Sequence, residues 1–339
     1  MLHRNTVRGI LYGFIHFSVE VASFFLLFSR ISTSPLWWAL ALLYDALAFL
    51  PQSIFGTITD RYPKYRIGLT GAVLMILGLL IPADIPALCM TALGNAMIHV
   101  AGANHTLRDS GGKITPNAIF VGFGSFGVIT GQLLGKCSGQ YRILIPLCLL
   151  LFSAAVMIFL QKNNPSVHQP ATLDICADKS DTLLVLCAFF GVAVRAYIAY
   201  AIPTEWNKSV IQTVFLFVFM GIGKILGGIL CDRIGYRRVT YISLLGALPF
   251  LLAGNTNMML SLIGVALFSM TMSVTVAILV SRFPHQPGFA FGITTTGLFF
   301  GTLPVFFIRP QTLLAHQTVV LVLSAAALPA ILTCIKKGK

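Results

Sequence analysis

Charge is scarce in this chain. Lys, Arg, Asp and Glu together make up 10% of 339 residues, well under the ~25% of a soluble domain. Only ten positions are acidic, and 57% are hydrophobic, with a mean hydropathy of +0.87. A water-soluble fold of this length could not hide so much apolar surface, so the implied solvent is lipid. Cysteine pairs are missing as well. Cys89, Cys137, Cys148, Cys176, Cys187, Cys231 and Cys334 are scattered with no CxxC, so neither a disulfide nor a metal site is expected. There is no nucleophile elbow and no Walker loop. An enzyme is therefore not expected, no cofactor is implied, and ATP alone cannot drive the chain.

What is present is a series of apolar runs, each near the ~20 residues that span a bilayer. Twelve are read: 9–29, 36–57, 67–82, 86–105, 115–136, 142–160, 182–203, 209–230, 238–254, 257–281, 288–307 and 315–335. The runs are continuous, whereas barrel strands alternate, so the expected fold is an all-α membrane protein of twelve transmembrane helices. They leave no room for a soluble domain. The polar, Pro-containing stretch 161–181 reads as a linker between an N-terminal six-helix bundle, 1–160, and a C-terminal one, 182–339. The basic N-terminus is followed by no small-residue cleavage site, so the first run reads as a retained span.

The formal net charge is +13. Its distribution argues for topology rather than nucleic acid. With both termini inside, sixteen Lys and Arg fall in inner segments and five in outer ones, a positive-inside bias. The remaining two, Arg195 and Lys224, lie within spans. Trp37, Trp38 and Trp206 fall at one interface and read as membrane anchors.

A short charged phrase occurs twice. The first copy is Gly56-Thr-Ile-Thr-Asp60-Arg61-Tyr-Pro63-Lys64-Tyr-Arg66; the second is Gly228-Ile-Leu-Cys-Asp232-Arg233-Ile-Gly235-Tyr-Arg237-Arg238. Asp60 and Asp232 are 172 positions apart, which marks two similar halves and points to a transporter. Gly56 and Gly228 allow close backbone approach. Asp60 and Asp232 are expected to pair with arginines in or near their own loops and to lie near the positive end of a neighbouring helix. Gly56, Asp60, Arg61, Lys64, Gly228, Asp232, Arg233, Gly235, Arg237 and Arg238 together read as a conformational latch.

The pattern Gly-x-x-x-Asp-Arg-x-Gly-x-Arg-Arg resembles the signature loop of the major facilitator superfamily. The second copy matches closely; the first has Pro63 for Gly and Tyr65 inside the basic pair, which points to a less firm first latch. Other stretches resemble the fosmidomycin-resistance branch: His16-Phe-Ser-Val-Glu20, Gly94-Asn-Ala-Met-Ile-His99-Val-Ala-Gly102 with Ile119-Phe-Val-Gly122-Phe-Gly124, and Ser269-Met270-Thr-Met-Ser273-Val-Thr-Val with Pro287-Gly288-Phe-Ala-Phe-Gly292. Arg195 fits as well. Members of that branch export drugs, so the resemblance implies the major facilitator fold, two pseudo-symmetric six-helix bundles, and efflux.

A charge at the centre of a span costs ~2.5–3.5 kcal/mol, so those present demand partners or water. At ~1.5 Å rise per residue, Glu20 lies roughly 18 Å from Arg8, Asp45 roughly 16 Å from Gly56, Arg195 roughly 20 Å from Thr182 and Lys224 roughly 12 Å from Asp232, each measured from the inner side. His16 and Glu20 are i,i+4 and share a helix face; His99 lies in another span, and His16, Glu20, Asp45, His99, Arg195 and Lys224 are read as the substrate- and proton-binding set. Glu20 with His16 is read as the proton-exchanging pair. Arg195 would attract an anionic cargo group or hold Asp45, with Lys224 acting likewise nearer the inner side. The alternatives are a static Glu20–Arg195 or Asp45–Arg195 ion pair that only fixes packing, and a Lys224 that snorkels to the surface. His105 reads as solvated. The expected function is secondary active transport of a small organic, anionic molecule by proton-coupled efflux. Uptake by proton or sodium symport and a transport-inactive sensor or scaffold are the alternatives. The expected partners are the cargo, H⁺ or Na⁺, and the bilayer, with no nucleic acid, and a monomer is expected.

Overall fold

The structure, a computed structural model, describes residues 2–63, 66–108, 110–139, 141–162, 179–201, 205–307 and 313–337. These residues form fifteen α-helices: α1 (Leu2–Ser29), α2 (Trp37–Phe49), α3 (Gln52–Arg61), α4 (Ile67–Leu80), α5 (Asp84–Arg108), α6 (Thr115–Lys136), α7 (Leu144–Lys162), α8 (Lys179–Ala201), α9 (Val210–Ile234), α10 (Tyr236–Leu244), α11 (Leu248–Ala253), α12 (Met258–Ser269), α13 (Thr271–Arg282), α14 (Pro287–Thr302) and α15 (Leu313–Lys337). No strand occurs among the described residues. Three pairs, α2–α3, α10–α11 and α12–α13, run on from one another, so the fifteen helices form twelve rods. The α2–α3 break falls at Pro51, which supplies no N–H to the helix ladder.

Among the described residues, nine helices are long and apolar enough to cross a membrane, including Trp37–Arg61 and Met258–Arg282 as continuous spans. Ile67–Leu80 and Gln317–Thr333 are shorter apolar helices, and α10–α11 form the remaining rod. The linker read at 161–181 and the latch residue Lys64 fall largely or wholly outside the described residues.

Large apolar side chains such as Leu77, Leu80, Leu151, Phe152, Phe159 and Leu186 face outward, while Ser18, Ser23, Thr91, Asn95, Thr294 and Thr295 are buried. This is the arrangement lipid dictates: the outside matches hydrocarbon, and polar groups meet one another inside. Asn95 on α5, for example, donates to Ser23 Oγ on α1 (3.0 Å) and to Tyr44 OH on α2 (2.9 Å). Trp37 and Trp38 are exposed as anchors would be, but Trp206 is only 8% exposed and packs inside. His105, read as solvated, stacks on Tyr12 with ring centroids 5.3 Å apart.

α1 lies along α6, α4 along α5 and α12 along α9; α14 packs on both α3 and α8. Two contacts join the first-half helices to the second-half ones most extensively: α6 with α9, and α3 with α14. Under the 172-residue repeat these two contacts are equivalent. Asp60 of α3 maps to Asp232 of α9, and Thr115, the first residue of α6, maps to Pro287, the first of α14.

Candidate functional site

The two repeated loops sit at these two crossings, at one end of the molecule. Gly56 and Gly228 are where the rods touch. A Cβ on Gly56 would lie 2.2 Å from Gly288 O, and one on Gly228 would lie 2.2 Å from Ala118 Cβ; any side chain would force the rods apart. Asp60, 2% exposed, accepts from the backbone N–H of Gly288 (3.2 Å) and Phe289 (2.9 Å), the start of α14. Asp232 accepts from the N–H of Ile114 and Thr115 (both 2.9 Å) and from Thr115 Oγ1 (2.6 Å), the start of α6. Each loop aspartate thus caps a helix of the other half. It satisfies otherwise orphaned N–H groups and brings negative charge to the positive helix end.

The expected pairing with arginines of the same loop is not what forms. Arg61, Arg233, Arg237 and Arg238 are exposed, and Arg61 lies over the Tyr62 ring. Helix N-termini outcompete them because two preorganised N–H donors need no side-chain ordering. The first clasp has extra partners from α5: Asn104 Nδ2 at 2.6 Å and the Arg108 guanidinium at 2.8 Å. Arg108 is itself steadied by Asn104 Oδ1 (3.1 Å). The first clasp is therefore the more heavily bonded of the two, the reverse of what Pro63 and Tyr65 suggested. Asn104, Arg108 and Thr115 were missed as latch partners. The one legible signal was the Pro near the start of each capped helix, Pro116 and Pro287. Gly235, between α9 and α10, takes a φ of +84°, a turn conformation that excludes most side chains.

Deeper in, α1, α5 and α6 build a compact polar cluster. Glu20 Oε1 lies 3.4 Å from His16 Nε2 and 3.1 Å from His99 Nε2, and the imidazole centroids are 4.1 Å apart. The far side of each ring is held by a backbone carbonyl: His16 Nδ1 meets Phe120 O at 2.8 Å and His99 Nδ1 meets Asn95 O at 3.0 Å. All three residues are buried. The i,i+4 spacing anticipated His16–Glu20; His99 arrives from 79 positions beyond Glu20 and completes a set that spacing hid. Under the repeat, His16, Glu20 and His99 map to Ala188, Val192 and Thr271, so the cluster belongs to the first half alone. Gly124 of α6 makes room for it: a Cβ there would lie 2.4 Å from His16 Cε1 and Nε2. Gly124→Ala is expected to displace the His16 ring and cost about 1–3 kcal/mol as an overpacked core does, read as a lower unfolding midpoint in detergent.

The remaining sequence-selected charges surround this cluster. Asp45 on α2 is half-buried and lies within electrostatic reach of Glu20. Lys224 on α9 lies within reach of both Arg195 and Glu20. Its ammonium does not snorkel: it donates to Ser125 Oγ on α6 at 2.9 Å, and its carbonyl accepts from Ser273 of α13. Arg195 on α8 is buried. Neither acid forms an ion pair with it among the described residues, so the static Glu20–Arg195 or Asp45–Arg195 pair is absent. Acids on first-half helices and bases on second-half helices therefore share one polar centre.

No protein-family model matches the chain. It is 25% identical over 244 residues to the fosmidomycin resistance protein of Escherichia coli (strain K12), covering 63% of this chain and 60%, under two thirds, of that protein. It is 27% identical over 306 residues to an uncharacterized MFS-type transporter, YfnC, of Bacillus subtilis (strain 168), covering 77% of this chain and 73% of that one. Among solved structures it superposes on the major facilitator superfamily transporter FucP in the outward conformation with a TM-score of 0.66 at 16% identity, covering 97% of this chain and 99% of that chain. YfnC and FucP are transporters, not enzymes. The twelve rods, the twin loops and these relatives make the chain a multi-pass membrane protein with the major facilitator fold and a homologue of major facilitator superfamily transporters.

Proposed function

We propose that the chain is a secondary transporter of the plasma or inner membrane that moves a small organic anion outward by alternating access, in exchange for protons. The observation that carries this reading is the pair of equivalent clasps. Each joins the two halves at the same end through a helix cap, an interaction worth about 0.5–2 kcal/mol, small enough to break and reform during a cycle. The positive-inside bias favours a cytoplasmic loop-bearing end and cytoplasmic termini, so the clasped form is the one closed to the cytoplasm. The linker at 161–181 then joins two rocking units, 1–160 and 182–339. Arg195 and Lys224 supply the attraction for an anion. The name of the E. coli relative, a resistance protein, supports export.

Asp45 is the carboxylate assigned to proton exchange. It makes no hydrogen bond or ion pair among the described residues, whereas Glu20 Oε1 lies against the ring nitrogens of His16 and His99. Glu20 from α1 lies within electrostatic reach of Asp45; α14, which packs on α2, brings no titratable side chain. In proteoliposomes with an imposed pH gradient, Asp45→Asn is expected to abolish gradient-driven accumulation of labelled anions while leaving anion exchange at equal pH. Full gradient-driven accumulation by Asp45→Asn would refute the assignment, and absence of any anion flux in the unaltered protein would refute the function.

A further inference from the structure

The geometry points to a divalent transition-metal site formed by His16, Glu20 and His99, with zinc the ion its donors suit best. A backbone carbonyl can only accept, so the carbonyls of Phe120 and Asn95 fix the proton of each imidazole on Nδ1. Each neutral ring then turns the lone pair of Nε2 toward Glu20 Oε1. Two lone pairs and a carboxylate oxygen, all within 4.8 Å of one another, repel unless a cation sits among them. A single divalent ion satisfies all three donors at once.

Three further features fit. Carbonyl-anchored Nδ1–H with Nε2 directed inward is the outer-shell arrangement that orients metal-binding histidines. The Nε2–Oε1 separations of 3.4 and 3.1 Å match the edge of a coordination polyhedron: bonds of ~2.0–2.2 Å put neighbouring ligands ~3.0 Å apart in octahedral and ~3.4 Å apart in tetrahedral geometry. Two imidazoles and a carboxylate form a borderline donor set suited to zinc and its first-row neighbours rather than to magnesium or calcium. Three protein ligands also leave a coordination position for water or for an oxygen of the cargo.

The test is binding to the purified, chelator-treated full chain in detergent, followed by calorimetry with Zn²⁺. One ion per chain is expected, saturable in the micromolar range or below. Glu20→Gln and His99→Gln should each weaken it by at least about tenfold, while the exposed His285→Gln leaves it unchanged. Pulsed electron paramagnetic resonance of the Cu²⁺-loaded unaltered protein should show two coordinated imidazoles, a readout that needs no variant to fold. Unsaturable binding, equal affinity in His99→Gln and His285→Gln, or a Cu²⁺ spectrum without imidazole would each overturn the site. None of these readouts involves flux, so they stand or fall apart from the transport reading.

Discussion

Asp60→Ala is expected to part the two halves at their loop-bearing end, and Asp232→Ala to do so far less. The difference follows from what each carboxylate holds. Asp232 caps α6 and bonds Thr115, so its loss removes a cap worth about 0.5–2 kcal/mol. Asp60 caps α14 and also neutralises Arg108, whose side chain is only 12% exposed. Removing one partner of a buried ion pair costs about 3–5 kcal/mol because the other charge is stranded. At about 1.4 kcal/mol per tenfold, that moves the clasped-to-open ratio by roughly two to three and a half orders of magnitude. Spin labels on the exposed Tyr62 and His285 report it directly. The Asp60→Ala distance distribution should shift to longer values, with Asp232→Ala keeping mostly the short one. Asp60→Asn, which keeps an acceptor but loses the charge, should fall between. An unshifted distance in Asp60→Ala would remove the clasp from the transport cycle.

Lys224→Met is expected to raise the KM for an anionic cargo by about 10–100-fold, the worth of a charge-assisted hydrogen bond of roughly 1.5–3 kcal/mol. The ammonium is half-buried, and its one hydrogen-bond partner among the described residues is the neutral Ser125 hydroxyl. It can therefore turn a donor toward a carboxylate-like group without breaking an existing ion pair. Met keeps the stem volume and removes only the charge. Flux measured against cargo concentration should show the KM rise with a smaller change in maximal rate. Arg195 remains nearby, so anion preference should weaken rather than vanish. An unchanged KM would take Lys224 out of the cargo path and leave it as a bond between α9 and α6.

How much of this was legible depended on whether chain spacing carries the contact. The spans were, because lipid demands long apolar runs. The 172-residue repeat was, because both copies of the loop keep Gly and Asp four residues apart. The i,i+4 pair His16–Glu20 was legible for the same local reason. His99 joining them was not, since nothing in its own helix announces which rod faces it. The loop arginines misled, because charge complementarity within a loop looked sufficient; the neighbouring helix end, also expected, is the partner that Asp60 and Asp232 take. Trp206 misled in a similar way, because a large amphipathic side chain near a span end can turn inward as easily as toward the headgroups.

α6 touches three parts of this machinery. Its first turn is gripped by Asp232, its Phe120 carbonyl steadies His16, and its Ser125 holds Lys224. Thr115 and Ser125 are ten residues apart, roughly 15 Å along one stiff helix. Such a rod behaves as a lever: a tug at its foot must be felt at its middle. Loosening the grip at Thr115 would carry Phe120 and Ser125 with it, so the gate and the polar centre are mechanically one device.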